Sequence, residues 1–254
     1  MTTYLIPTAE PFYFPGGPTG CLLVHGFTGS PKEMLWMGEY LSQRGYSVLG
    51  VRLAGHATRI EDLPRTRWQD WCASVEDGWH MLSKSCRQTF LAGLSMGGAL
   101  CLLAATQLPA AGVVAMSTPY DLPEDPRRRY LKLMYRLQPS VAKGPPDWHN
   151  PQAALDHVDY PSYPTRSILE LDALLAEMRA NLHKVKTPVL LAHSRQDNSV
   201  HPENMQAIFN ALGADQKSML WVEDSNHVIT REPERLRVFQ AAENFFQRIE
   251  NNAV

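Results

Sequence analysis

The chain is expected to fold as an α/β protein, a mostly parallel central sheet flanked by helices with one inserted segment. Three observations carry that expectation. Short apolar runs of strand length alternate with amphipathic stretches of helical period along most of the 254 residues. A helical stretch separates each run from the next, which is the crossover a parallel strand pair needs. The alternation fails from Thr118 to about Lys184 and then resumes, so residues 1–117 and 185–254 are assigned to a core and 118–184 to an insertion. Hydrophobic residues make up 44% and charged residues 20%, which suits a buried core and excludes a disordered chain.

The elements follow in order. Gly20 to Val24 is an apolar strand. Ser30-Pro-Lys-Glu33 reads as a helix start, with serine as cap, proline in the first turn and Glu33 closing a capping box. Gly45 sits where that helix should stop, and Tyr46 to Val51 is the next strand. Thr66-Arg-Trp-Gln69 reads as a second capping box. Behind it Trp68, Trp71, Cys72, Val75, Trp79 and Leu82 share one helical face, which core packing explains without a ligand. Thr89 to Ala92 is a strand entering a glycine-rich turn, and a helix runs from Met96 to about Gln107. Gly112 to Met116 and Pro188 to Ala192 are further strands. A helix from about Pro202 to Leu212 and a strand from Ser218 to Val222 follow. The last helix, from about Glu232 to Ile249, has Leu236, Phe239, Ala242, Phe246 and Ile249 on its apolar face.

Several classes are excluded. A formal net charge of −2 offers no electrostatic attraction to nucleic acid or to an anionic membrane. Cys21, Cys72, Cys86 and Cys101 lie in or beside apolar runs and read as reduced thiols, and no Cys/His cluster suggests a metal. The N-terminus lacks the basic and apolar regions of a signal peptide, and no apolar run is long enough to span a bilayer. A cytoplasmic protein without stable membrane insertion is expected, as monomer or homodimer, with no cofactor and no metal.

One motif carries chemistry. Gly93-Leu-Ser-Met-Gly97 matches G-x-S-x-G between a predicted strand and a predicted helix, the setting of a nucleophile elbow. Glycine is needed at both flanks because side chains there would meet the adjoining strand and helix. Ser95 is the candidate nucleophile, and it needs a base. In an elbow fold the chain order is serine, acid, histidine, with the histidine after the last core strand. His227, after the strand ending near Val222, meets that condition among nine histidines. His25 and His201 are candidates for supporting roles. Asp197, just past the strand before, is the candidate acid that orients the imidazole. Asp224, three residues from His227, is its competitor and reads better as a loop-shaping residue. A tetrahedral intermediate needs two donors. The backbone N–H of Met96 is one, and that of Phe27, in His25-Gly-Phe-Thr-Gly29, is the other. The Phe27 side chain would also wall the acyl site.

Together His25-Gly-Phe-Thr-Gly29, Gly93-Leu-Ser-Met-Gly-Gly98, Asp197 and His227 resemble the α/β-hydrolase superfamily, and within it bacterial carboxylesterases and monoacylglycerol lipases. Gly55-His56 matches a Gly-His pair seen in the family after the second core strand. The likeness spans nearly the whole chain and makes 118–184 look like the family's cap or lid. Two positions depart from it. Ala57 stands where members often have a second glycine, and His201 separates Val200 from Pro202 where many have Val-Pro.

The resemblance implies hydrolysis of short to medium acyl esters, including monoacylglycerols, through an acyl-enzyme on Ser95. A small-molecule ester, lipid-derived esters included, is then the expected partner. Tyr130, Leu131, Met134, Tyr135 and Leu137, behind Arg127-Arg-Arg129, have partly helical spacing. Leu131, Met134 and Tyr135 are the candidate acyl contacts there, although an ordinary amphipathic helix would look the same. Nine of the 19 prolines and only one glycine, Gly144, lie in 118–184, which suits a stiff cover. A thioesterase or acyltransferase would share the triad. A non-catalytic binding protein on this scaffold would be expected to lose a triad member, and none is lost.

Overall fold

The computed structural model describes residues 4–123, 138–144 and 148–252. The strands are β1 (Phe12–Phe14), β2 (Thr19–Val24), β3 (Ser47–Val51), β4 (Gln88–Leu94), β5 (Val113–Met116), β6 (Ser140–Ala142), β7 (Ser162–Pro164), β8 (Val189–Ser194) and β9 (Lys217–Val222). Seven of them form one sheet in the order β1-β3-β2-β4-β5-β8-β9, and β6 pairs with β7. Within the large sheet only the β1–β3 pair is antiparallel. The helices are α1 (Lys32–Ser42), α2 (Trp68–Ser83), α3 (Met96–Ala104), α4 (Pro151–Leu155), α5 (Thr165–Asn181), α6 (Glu203–Ala211) and α7 (Arg235–Asn252).

The inner strands are continuous apolar runs because helices bury both of their faces. Leu22 and Val24 of β2 face the cluster that holds Trp71 of α2, Leu100 of α3 and Ile208 of α6. Cys21 and Leu23 face the opposite cluster, with Met34 and Met37 of α1 and Phe239 and Phe246 of α7. Fully burying a side chain of this size contributes about 1.5–3 kcal/mol. Both faces therefore anchor the sheet, and its C-terminal ends carry the loops that follow β2, β4, β8 and β9.

The structure changes several local expectations. β1 had no clear signal, being three residues long. Its Phe12 ring fills the space that a side chain at Gly38 or Gly50 would occupy. Neither expected capping box forms around its serine or threonine. The Ser30 hydroxyl donates to the Val158 carbonyl (2.9 Å) instead of capping α1. Thr66 donates to Leu63 O, while Arg67 precedes α2 and its N–H is held by Asp70. In α7, Leu236 is exposed, and Val238, Phe239, Ala242, Phe245 and Phe246 form the buried face. The tryptophan-bearing face of α2 does pack into the core, with Trp71 fully buried. Cys21 and Cys101 are buried, Cys72 and Cys86 are half-buried, and all four are free thiols.

Between β5 and β8 lie β6, α4, β7 and α5. Leu171, Leu174, Leu175 and Met178 of α5 join the same cluster as Leu100 and Leu103 of α3. Among the described residues no helix is long and apolar enough to cross a membrane.

Candidate active site

Ser95 lies between β4 and α3 with φ 55° and ψ −121°, a conformation that L-residues adopt at a cost. Two glycines make this turn possible. A Cβ on Gly93 would overlap the Gly97 carbonyl, and one on Gly97 would overlap the carbonyls of Val24 and His25. The Ser95 N–H donates to Met116 O (2.7 Å), tying the turn to β5. Met96 is the first residue of α3, where a backbone N–H has no partner within the helix.

The loop after β2 is set by His25. The chain order Nδ1 to Gly26 O (2.9 Å) and Leu53 N to Nε2 (3.2 Å) makes Nδ1 the donor and Nε2 the acceptor, the arrangement of a neutral imidazole. Burial, with the nearby His56, pushes the His25 pKa well below its ordinary value, so the ring stays neutral. Holding the Gly26 carbonyl turns the Phe27 N–H to the opposite side of the same trans peptide. The Phe27 ring stacks on Tyr163 (5.9 Å, 7°). Phe27, Ser95 and His227 line one cavity of about 1110 Å³.

The loops after β8 and β9 bring Asp197 and His227 together. Asp197 Oδ2 lies 2.8 Å from His227 Nδ1. Asp197 Oδ1 accepts the N–H groups of Ser199 (2.9 Å) and Val200 (2.8 Å). The carboxylate is buried, which alone would raise its pKa. The His227 imidazole and the hydrogen bond from His193 outweigh this and hold it well below the usual carboxylate range. The two loops are also joined directly, since Ser194 Oγ donates to Ser225 O and Asn198 N donates to Asn226 Oδ1 (3.2 Å). Asp224 is turned away, its carboxylate 71% exposed and 2.8 Å from His149 Nδ1.

His193, at the end of β8, also touches the acid, a role that its sequence position did not single out. Its Nε2 lies 2.9 Å from Val200 O and 3.2 Å from Asp197 Oδ2. A carbonyl can only accept, so this nitrogen carries a hydrogen. His201 lines the cavity. Leu131, Met134 and Tyr135, the candidate acyl contacts, lie outside the described residues, as do Arg127 to Tyr130 and Leu137. Sequence reasoning also missed Lys143, Trp148, His157 and Asp159 on the cavity wall, because they belong to short loops without periodic pattern. Ala57, at the family's second glycine position, has φ 57° and is buried. Among the described residues no group of three His, Cys, Asp or Glu side chains is arranged to hold a metal ion.

Residues 19–234 match the model of the serine aminopeptidase S33 family (Hydrolase_4). The chain belongs to this family of serine hydrolases. It is 36% identical over 251 residues to the thermostable monoacylglycerol lipase of Bacillus sp. (strain H-257), covering 94% of this chain and 95% of that protein. It is 29% identical over 249 residues to a carboxylesterase of Bacillus subtilis (strain 168), covering 96% and 99%. A structure from work on LipS and LipT, two metagenome-derived lipolytic enzymes, superposes with a TM-score of 0.90 at 32% identity, covering 96% of this chain and 99% of that one. The Paleococcus ferrophilus monoacylglycerol lipase shares the fold, with a TM-score of 0.80 at 20% identity, covering 95% and 98%. The chain is therefore a serine hydrolase of the S33 family with the α/β-hydrolase fold, similar to proteins named monoacylglycerol lipase and carboxylesterase.

Proposed function

We propose that the chain hydrolyses short to medium acyl esters, monoacylglycerols among them, with Ser95, His227 and Asp197 as its catalytic triad. The observation that carries this reading is the 2.8 Å contact between His227 Nδ1 and the buried Asp197, on loops facing the cavity that Ser95 lines. His227 Nδ1 donates to Asp197, which leaves Nε2 unprotonated and able to take the Ser95 proton as the oxygen attacks the ester carbonyl. The oxyanion forms between the N–H groups of Phe27 and Met96, and the dipole of α3 favours its charge. The imidazolium then gives its proton to the departing alcohol. Water, deprotonated by the same histidine, releases the acid and restores Ser95.

A cavity of about 1110 Å³ is slightly larger than ordinary small-molecule sites, which span roughly 300–1,000 Å³, and has room for a medium acyl chain. The segment 118–184 serves as the cap over it. Four free thiols suit the reducing cytoplasm. A series of p-nitrophenyl esters and monoacylglycerols from two to sixteen acyl carbons, with Ser95→Ala as control, tests the reading. Turnover should peak at short to medium chains and vanish in the variant. Full activity in Ser95→Ala refutes the triad, and turnover confined to long chains refutes the substrate range.

A further inference from the structure

Glu33 is a nearly buried carboxylate that its helix does not use. The expected capping box would point it back at the Ser30 N–H, but its Oε2 instead accepts the Gly26 N–H (2.8 Å). Gly29 leaves the room for this, since a Cβ there would overlap the carboxylate. A Cβ on Gly26 would lie 3.3 Å from Glu33 Oε2 and 3.3 Å from Ser95 Cβ, so the carboxylate and the serine flank the same glycine. The main chain of Glu33 is anchored independently. Its carbonyl accepts the Thr230 hydroxyl (2.7 Å), and the Lys32 carbonyl accepts from Arg231 (3.0 Å), both just past His227. Glu33 therefore spans from the histidine loop, through its backbone, to the loop after β2, through its side chain.

We propose that Glu33 is a positioning residue for the oxyanion hole: by accepting the Gly26 N–H it sets the peptide plane that precedes the Phe27 donor. The proposal rests on the ester-hydrolase reading and deepens it. Two consecutive peptide planes meet at Gly26, whose φ and ψ are soft because it lacks a Cβ. His25 holds the second plane by its carbonyl, and Glu33 holds the first by its N–H. With both held, the Phe27 N–H has one direction. With Glu33 removed, Gly26 can rotate and the donor leaves the position of the developing oxyanion. Burial pushes the Glu33 carboxyl up, against the pull of His157, whose Nε2 is 3.9 Å from Oε1, and of the Gly26 N–H. Either protonation state keeps an acceptor oxygen, and so would an amide.

The test compares Glu33→Gln with Glu33→Leu and Glu33→Ala on p-nitrophenyl butyrate, with thermal unfolding of each. Affinity for a trifluoromethyl ketone, which forms a tetrahedral oxyanion on serine, is measured alongside. Loss of one oxyanion donor costs about 10²–10³ in kcat, so partial misplacement is expected to lower kcat about 10- to 100-fold in Glu33→Leu and Glu33→Ala. KM should stay within about threefold, ketone affinity should fall with kcat, and Glu33→Gln should keep at least about a third of kcat. Unchanged kcat in a folded Leu or Ala variant overturns the proposal. So does a loss carried by KM, or a Gln variant as damaged as the others. If Leu and Ala both fail to fold while Gln folds, Glu33 serves the fold and the proposal fails. Ser95→Ala is run in parallel: activity surviving there faults the triad and overturns the oxyanion-hole assignment with it, whereas activity lost there but unchanged in a folded Glu33→Leu faults the Glu33 proposal alone.

Discussion

Replacing Asp197 by asparagine exchanges one oxygen for NH2 and should reverse the tautomer of His227. The surroundings decide which way the amide sits. Oδ1 accepts two backbone N–H groups, from Ser199 and Val200, so the amide oxygen must take that place. The NH2 then faces His227 Nδ1, 2.8 Å from the present Oδ2, and meets the hydrogen-bearing His193 Nε2 as well. Facing a donor, Nδ1 must become the acceptor, and the proton moves to Nε2, where a base is required. The same substitution in the well-studied serine proteases lowers kcat about 10⁴-fold for this reason, which is about 5.5 kcal/mol of barrier. Asp224→Asn removes only a 71% exposed partner of His149 and should change the rate by less than about threefold, since a surface pair contributes little. Initial rates on p-nitrophenyl butyrate near pH 8, with circular dichroism to show both variants folded, make the comparison. A folded Asp197→Asn retaining more than about a tenth of kcat/KM, or a larger loss in Asp224→Asn, would refute the reasoning.

Other consequences can be measured on the same material. Gly97→Ala places a methyl against the Val24 and His25 carbonyls, so urea unfolding should show a loss of several kcal/mol, about 3 or more, and a midpoint unchanged from wild type would contradict the elbow geometry. His25→Ala releases the Gly26 carbonyl and should lower kcat about 10²-fold with KM little changed, read from saturation curves. Burial holds His56 at about 4 against about 6.5 in the unfolded chain, so the unfolded state alone binds this proton as pH falls from 6.5 towards 4. Stability should therefore drop across that window, His56 contributing roughly 3 kcal/mol by pH 4, and His25 acts with the same sign. Urea midpoints at pH 7.5 and 4.5 should converge in His56→Asn relative to wild type, and an equal acid loss in both proteins would count against this assignment.

Much of the core was legible because buried parallel strands are unbroken apolar runs, as in Gly20 to Val24 and Val113 to Met116. The elbow was legible because its glycines and serine are contiguous, and Asp197 and His227 because chain order selects the loops that hold them. What escaped depends on contacts distant in sequence. β1 is too short to show a period and is defined by Phe12 lying over Gly38 and Gly50. Ser30 and Glu33 carry a capping-box pattern but serve Val158 and Gly26, because the fold brings stronger claims on their side chains than the helix start does. His193 gave one faint signal, its place four residues before Asp197 at a strand end, and only the turn after β8 puts its imidazole on the carboxylate. Leu236 fell on the apolar face by spacing but lies in the first turn of α7, beyond the edge of the cluster that buries Phe239.

The central claim is that Ser95 is the nucleophile, and covalent capture tests it most directly. A p-nitrophenyl alkylphosphonate reacts with an activated serine and stays as a stable mimic of the tetrahedral intermediate. The account predicts one phosphonyl group per chain, located on Ser95 by peptide mass spectrometry, with esterase activity lost in proportion to labelling and no label on Ser95→Ala. Full inactivation with the phosphonyl group on another residue, or equal labelling of the Ser95→Ala variant, would contradict it.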